Sequence, residues 1–216
     1  MTSPRIHVIR FACLALLAAG IAACGILPKK QPLALYAPEG RVTVDPGWPT
    51  VSWQLQVPRP HADELVDSPR IVVRPMPGEL QVYKGAVWAQ PAPDLLQDTL
   101  LRAFEDSGKI AGVARRGAGI TGEYELLLDL RRFESDYAGG ASPSAVIEMG
   151  AKLVATGSNS VVANRTFRQT SASPSADITA VAGAFDQSLA AISSEIVGWT
   201  LVEGQRHAAQ HPSPPR

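Results

Sequence analysis

Three long segments in the second half of the chain alternate apolar and polar side chains, and they constrain the fold most strongly. These segments are residues 123–137, 144–156 and 160–171. A period of two residues predicts strands with one buried face, and connectors of only six and three residues join them. The pattern therefore predicts an antiparallel three-strand meander. The adjacent Arg131 and Arg132 indicate a change of register or a bulge in its first strand.

Two other segments have the three- and four-residue spacing of amphipathic helices. The first begins at Asp94, a capping residue with Gln97 in the return position, and ends at Gly108. The second begins near Ser173 and Pro174, and its apolar residues are Ile178, Val181, Phe185, Leu189, Ile192, Ile196 and Trp199. Each apolar stripe predicts a helix that packs on a sheet.

Shorter alternating segments complete the predicted fold. The predicted strands are residues 51–57, 70–75, 79–83 and 110–114, and Met76, Pro77 and Gly78 predict a hairpin turn. Together the elements predict an α/β fold with a mixed, largely antiparallel sheet, which contains the three-strand meander, and two amphipathic helices packed on it.

The N-terminus has the pattern of a secretory signal peptide. Arg5 and Arg10 precede an apolar run, residues 11–23, which is too short for a confident membrane span. The run ends in Ile-Ala-Ala before Cys24, an order that resembles the lipobox of bacterial lipoproteins. In this interpretation Cys24 is the lipid attachment residue and the chain is cut before it. The alternatives are an ordinary signal peptide that contains a cysteine and an uncleaved helical anchor.

Composition and periodicity predict four regions along the chain. They are a signal peptide at 1–23, a lipidated N-terminus with a proline-rich tether at 24–50, a folded domain at 51–202 and a disordered tail at 203–216. The whole chain holds 20 basic and 20 acidic residues, and two of the basic residues lie in the signal segment. The mature chain would therefore be slightly acidic, which argues against nucleic acid as a partner.

The sequence offers no residues for catalysis, for a cofactor or for a metal, and it predicts a protein that is not an enzyme. His7 lies in the signal segment, His61 in a loop, and His207 and His211 in the predicted tail. The last two have helical spacing for a metal pair, but a disordered tail would not hold them. We interpret the carboxylate pair Glu134 and Asp136 as solvated charges.

The glycine pattern at 117–122 matches a dinucleotide-binding fingerprint only in its spacing. Phosphate binding requires these glycines to open a helix, whose N–H groups then meet the pyrophosphate. Here the glycines lead into a segment with the period of a strand. The sequence therefore predicts a loop without a nucleotide.

An ordered series of short motifs resembles the ABC-type transport auxiliary lipoproteins. After the lipobox and the proline-rich tether, the motifs are RIVVRP at 70–75, GELQVY at 78–83, Trp88 with PAPDLL at 91–96, FEDSG at 104–108, YEL at 124–126, FE at 133–134, RTF at 165–167, AF at 184–185 and Trp199. The resemblance covers roughly residues 34–202.

The resemblance implies a lipid-anchored accessory component of a mammalian-cell-entry (MCE) type ABC transport system, facing the periplasm. Its implied partners are an MCE-domain periplasmic protein and the associated ABC permease and ATPase. The resemblance is also compatible with a homo-oligomer. Gly25, in place of aspartate after Cys24, favours the outer membrane. The alternative function is a structural or assembly lipoprotein that binds another envelope protein or peptidoglycan.

Overall fold

The computed structural model describes residues 32–119 and 121–211, which form nine strands in one sheet and two helices. The elements are β1 Ala34–Tyr36, β2 Val51–Val57, β3 His61–Ala62, β4 Arg70–Arg74, β5 Gln81–Trp88, α1 Ala92–Ser107, β6 Ile110–Arg115, β7 Tyr124–Asp136, β8 Ser144–Ala155, β9 Ser160–Ala172 and α2 Ile178–Gln210. The predicted α/β class is confirmed. The predicted signal peptide at 1–23 and Cys24 lie outside the described residues.

Strand β7 holds the sheet together because both of its edges are paired. The antiparallel strand β8 pairs along its whole length, and β9 pairs antiparallel with β8, which confirms the predicted meander. On the other edge, β2, β3 and β4 pair with β7 in parallel, one after another. The register between β7 and β8 shifts between Leu130 and Arg132, where the paired arginines predicted a bulge.

The core lies between one face of this sheet and the buried faces of helices α1 and α2. Trp88, Phe133 and Phe185 pack against one another with ring centroids 4.8 to 5.7 Å apart, and each is almost fully buried. Leu189 and Ile196 on α2 have no exposed surface. Each buried side chain of this size contributes about 1.5–3 kcal/mol to the free energy of unfolding. The predicted packing of the helix stripe on the sheet is confirmed.

The folded domain begins before residue 51, where the sequence predicted the tether to end. Strand β1 pairs in parallel with β5, and the backbone N–H groups of Glu39 and Gly40 donate to Asp186 at 2.8 and 3.0 Å. Gly40 lies directly against Leu189, and Trp48 is 9% exposed. The prolines of this segment prevent a regular period, but its irregular backbone is still held by long-range packing.

Helix α1 begins earlier and is capped differently than the sequence predicted. It begins after Pro91, which makes no side-chain capping bond, so the predicted cap at Asp94 is wrong. Asp94 lies in the first turn and accepts a hydrogen bond from Arg59 at 2.7 Å. Gln97 donates to the carbonyl of Val57 at 2.9 Å. Gly108 ends the helix with φ +60°, as the sequence predicted.

Helix α2 begins at Ile178 rather than at Ser173. Asp177 precedes it, and its carboxylate accepts hydrogen bonds from the N–H groups of Thr179 and Ala180 at 2.9 and 3.4 Å. Ser173 is instead buried and donates to the carbonyl of Ser175. The carboxylate thus serves as the cap, four residues after the predicted position.

The same helix continues to Gln210, so the prediction of a disordered tail from residue 203 is wrong for residues 203–210. Gly204 is buried against Trp53, and the Tyr124 hydroxyl contacts the His207 ring at 2.9 Å. These contacts come from β2 and β7, which are remote in sequence. They stabilise a polar helix end that has no apolar stripe of its own.

We expect Gly204→Ala to lower the free energy of unfolding, although alanine favours helices. A Cβ atom at this position would lie 2.4 Å from Cζ2 of the buried Trp53 ring, so the ring would have to move. The expected loss is about 1–3 kcal/mol, measured by urea unfolding.

Gly183→Ala in the same helix is the matched control. Nothing lies within 4 Å of a Cβ atom at Gly183, which is exposed. This substitution should stabilise the protein by about 0.5–1 kcal/mol. Equal effects of the two substitutions would contradict the close packing at Gly204.

Candidate functional site

The hairpin between β4 and β5 exposes large apolar side chains. Met76, Leu80 and Val82 are 54%, 46% and 38% exposed. Beside them, Tyr83 and Tyr137 line a groove of about 570 Å³. We call these five residues the hairpin patch. Adjacent apolar and aromatic side chains at the surface are typical of a protein-binding site.

The predicted turn forms the tip of this hairpin. Gly78 has φ +84°, which favours glycine, and the N–H group of Glu79 donates to the carbonyl of Met76 at 3.1 Å. Val73 then pairs with Gln81 across the hairpin. The turn therefore places Met76 and Leu80 at the tip of the hairpin, beyond the paired residues Val73 and Gln81.

Two tyrosines form a polar wall of the groove. The Tyr83 hydroxyl hydrogen-bonds with the Ser135 hydroxyl at 3.2 Å and with the Tyr137 hydroxyl at 3.4 Å. Burial raises the pKa of Tyr83 to about 12, so its phenol is neutral at physiological pH. The wall therefore offers hydroxyl groups rather than charge beside the apolar side chains.

Four charged residues on β4 and β7 form an ion cluster, and none of the four lines the groove itself. Arg74 donates two hydrogen bonds to the Glu134 carboxylate, at 2.8 and 3.0 Å. Arg132 contacts Glu134 as well and donates to Asp136 at 2.7 Å. The Glu134 side chain is only 4% exposed. The interpretation of Glu134 as a solvated charge is therefore wrong, because two guanidinium groups cover it.

The ion cluster is joined to the groove through a loop that lines it. Asp136 accepts a hydrogen bond from the N–H group of Ala138 at 2.8 Å, and Gly139 and Gly140 of the same loop line the groove. Burial alone would raise the pKa of Asp136. The Ala138 N–H group, Arg132 and Arg74 outweigh burial and lower that pKa below its ordinary value of 3.8.

The other predicted residues lie in different places. Cys24, the predicted lipid attachment residue, is outside the described residues. His61 lies exposed in β3, and His207 and His211 lie at the end of α2, far along β7 from the ion cluster. The glycine loop before β7 opens no helix, as the sequence predicted.

The described part of the chain, residues 32–119 and 121–211, has neither a ready-made metal centre nor a membrane-crossing helix. In this part of the chain no group of three or more histidine, cysteine, aspartate or glutamate side chains is placed to hold a metal ion. Within the same residues, no helix combines the length and the apolar character that a membrane crossing requires.

Known proteins match the folded part of the chain. The family model of the ABC-type transport auxiliary lipoprotein component matches residues 33–197. The crystal structure of protein XCC0632 from Xanthomonas campestris is 56% identical, covers 82% of this chain and 99% of its own, and has a TM-score of 0.78. Another crystal structure, of an uncharacterized protein, is 16% identical, covers 77% of this chain and 97% of its own, and has a TM-score of 0.60.

A relative from Bradyrhizobium diazoefficiens, the uncharacterized protein bll6063, is 28% identical over 174 residues. The match covers 77% of this chain and 46% of the relative, so the chain spans about half of the relative's length.

The fold and these matches define an α/β domain of a lipoprotein family. The chain belongs to the ABC-type transport auxiliary lipoprotein family. The match begins at residue 33, one residue before β1, which agrees with a folded domain that starts earlier than the sequence predicted.

We expect Asp136→Asn to reduce the loss of stability in acid. Because the pKa of Asp136 is lower in the folded protein than in the unfolded chain, its contribution to stability is complete above about pH 5 and is lost as the pH falls through the folded pKa. Between about pH 6 and about pH 3, the variant should lose less free energy of unfolding than the wild type.

The matched control is Asp63→Asn, a change at an exposed carboxylate outside the ion cluster. It should reproduce the acid dependence of the wild type in urea unfolding at each pH. If Asp136→Asn also reproduced the wild-type profile, that result would contradict the lowered pKa of Asp136 in the folded protein.

Proposed function

We propose that this protein is the lipid-anchored periplasmic accessory component of an MCE-type ABC transport system that moves lipids or other hydrophobic molecules between the inner and outer membranes. Its role in this proposal is docking without catalysis. The observation that carries the proposal is the match of the family model to residues 33–197. These residues contain all nine strands of the sheet, helix α1 and the larger part of helix α2. ATP hydrolysis belongs to the partner ATPase.

The anchor in this proposal is a diacylglycerol on Cys24, in the outer membrane. One acyl chain binds a membrane only marginally, whereas two or three chains hold firmly. Nine residues, Cys24 to Pro32, separate the anchor from the start of the family match. A fully extended segment of this length reaches at most about 30 Å. The folded domain therefore stays close to the membrane surface, closer than a tether to residue 50 would allow.

The docking surface in this proposal is the hairpin patch, and its occupant is the periplasmic MCE-domain protein. Three exposed apolar side chains and two tyrosines supply the apolar centre that protein interfaces share. The ion cluster fixes the loop beside them, so the surface is ordered before binding, which lowers the entropic cost of association.

The proposal places no lipid between α2 and the sheet. Phe185, Leu189 and Ile192 of α2 are fully buried there against the side chains of the sheet. A lipid would have to displace a packed core, at a cost of several buried side chains. The proposal therefore assigns this face of the helix to stability and assigns the exposed hairpin patch to docking.

We expect Cys24→Ala to release the protein from the membrane fraction while the domain still folds. The substitution removes the sulfur atom to which the lipid attaches in this proposal, and position 24 lies outside the described residues, 32–119 and 121–211. Cell fractionation followed by circular dichroism of the released protein checks both parts. A variant that stayed in the membrane fraction at full strength would contradict the anchor.

A photocrosslinking amino acid at Val82 should capture the MCE-domain protein in living cells. Val82 lies in the hairpin patch and is 38% exposed, so the probe is accessible and close to the partner. Val161 is the matched control, because it is the same residue type and is 55% exposed, but lies in β9.

The expected result is a crosslink from position 82 and none from position 161, identified by mass spectrometry. Equal crosslinking from the two positions would contradict the hairpin patch as the docking surface. Capture of cell-wall or assembly proteins alone from position 82 would favour the structural role instead.

A further inference from the structure

A basin of about 320 Å³ lies on the open face of the sheet, opposite the face that the helices cover. Paired residues of neighbouring strands place their side chains on the same face of a sheet. The register therefore sets the side chains of the basin in two rows, with His61, Asp129, Gly150 and Thr166 in one row and Lys152 and Asn164 in the next. We call it the sheet basin. The residues that line it are different from those of the hairpin patch.

One arginine, Arg131, lies across the floor of the sheet basin. The register of β7 with β8 shifts between Leu130 and Arg132, so Arg131 is the extra residue of the bulge. A bulge aims a side chain away from the direction that a regular strand would give it. The guanidinium of Arg131 lies over Gly150, because a Cβ atom at that glycine would be 2.8 Å from Nη2. A glycine at position 150 thus leaves room for the guanidinium in the middle of β8.

Two side chains hold this guanidinium in place. Nε of Arg131 donates to the Asp129 carboxylate at 3.2 Å, and Nη1 donates to the Thr166 hydroxyl at 3.3 Å. These two bonds leave most of the N–H donors of the guanidinium unused. The Arg131 side chain is 48% exposed, so a ligand can reach the remaining donors from solvent. The bulge, the glycine and the two hydrogen bonds therefore orient an arginine whose donors are available.

The other side chains of the sheet basin favour an anion. Lys152 is exposed and adds a second cation, whereas Asp129 balances only one positive charge. Asn164 adds a neutral amide donor. Arg165 also lines the basin, but its guanidinium lies 4.7 Å from the ring centre of the buried Phe167, on the core side of the sheet. The open face therefore presents an excess of positive charge and of hydrogen-bond donors.

We propose that the sheet basin binds a phosphate group, with Arg131 as its main ligand and Lys152 beside it. A guanidinium donates paired hydrogen bonds to the oxygens of a phosphate, and an ammonium adds a point charge. The volume is at the lower end of the range for small-molecule sites, about 300–1,000 Å³, so it suits a phospholipid headgroup or free phosphate better than a whole lipid. This site is separate from docking at the hairpin patch and does not rest on it.

The sequence indicated the bulge but not the basin. Arg131 and Thr166 are 35 positions apart in the chain. The register of three strands brings them together, with Gly150 between them. A period of two residues identifies each strand but not the pairing that builds this site.

Isothermal titration at constant ionic strength tests the proposal on the intact lipoprotein, purified in a maltoside detergent. The probes are inorganic phosphate, glycerophosphoglycerol and acetate. Glycerophosphoglycerol is the headgroup of phosphatidylglycerol without its acyl chains. We expect a phosphate compound to bind and acetate not to bind. Tighter binding of glycerophosphoglycerol would identify a lipid headgroup as the source of the phosphate, and tighter binding of inorganic phosphate would identify the free ion.

Arg131→Lys keeps the positive charge but removes the paired donors. It should weaken phosphate binding about tenfold. Arg70→Lys is the matched control, since Arg70 is exposed in β4 and lies outside the sheet basin. This control should bind phosphate as the wild type does.

Gly150→Ala separates the site from the fold. The atoms nearest to a Cβ at this position belong to the flexible side chain of Arg131, and alanine suits the interior of a strand better than glycine. The unfolding temperature should therefore equal or exceed that of the wild type. Phosphate binding should still fall about tenfold, because the guanidinium can no longer lie across β8.

Three results would overturn the proposal. The first is that neither phosphate compound binds to the wild type, and the second is that acetate binds as tightly as phosphate. The third is unchanged phosphate binding in both Arg131→Lys and Gly150→Ala.

Discussion

The pairing of both edges of β7 is the constraint on which the rest of the structure depends. One edge carries the long antiparallel ladder to β8, and the other carries three short parallel ladders to β2, β3 and β4. The inward side chains of β7, from Tyr124 to Phe133, lie in the core that α2 covers. Each shorter strand is thus placed by a central strand that is itself held on both sides.

Side chains at the two ends of this strand hold two different parts of the surface. At one end, Asp136 holds the loop beside the hairpin patch, and at the other, the Tyr124 hydroxyl contacts the His207 ring at the end of α2. Both ends belong to a strand that is paired on both of its edges, which suits a site that must be ordered before it binds. The central part of the strand packs in the core, and its two ends carry the side chains that contact the hairpin loop and the end of α2.

The sequence predicted the elements with strong periods and missed those that depend on distant contacts. The meander and the stripe of α2 were predicted, because side chains on one buried face repeat at a fixed spacing. The parallel ladders on β7 could not be predicted, since a period of two identifies a strand but not its neighbour. The helical end around Gly204 and His207 was missed because its support comes from β2 and β7.

The candidate site was predicted only in part. The hairpin turn was visible in Met76, Pro77 and Gly78. The burial of Glu134 under Arg74 and Arg132 was not, because Arg74 lies 60 positions before Glu134 in the chain. The lipid at Cys24 stays a prediction. The most direct test of the transport role is purification of the intact lipoprotein from native membranes after crosslinking in cells, with mass spectrometry of its partners. Recovery of an MCE-domain protein together with its permease is the predicted result, and recovery of other envelope proteins alone would contradict it.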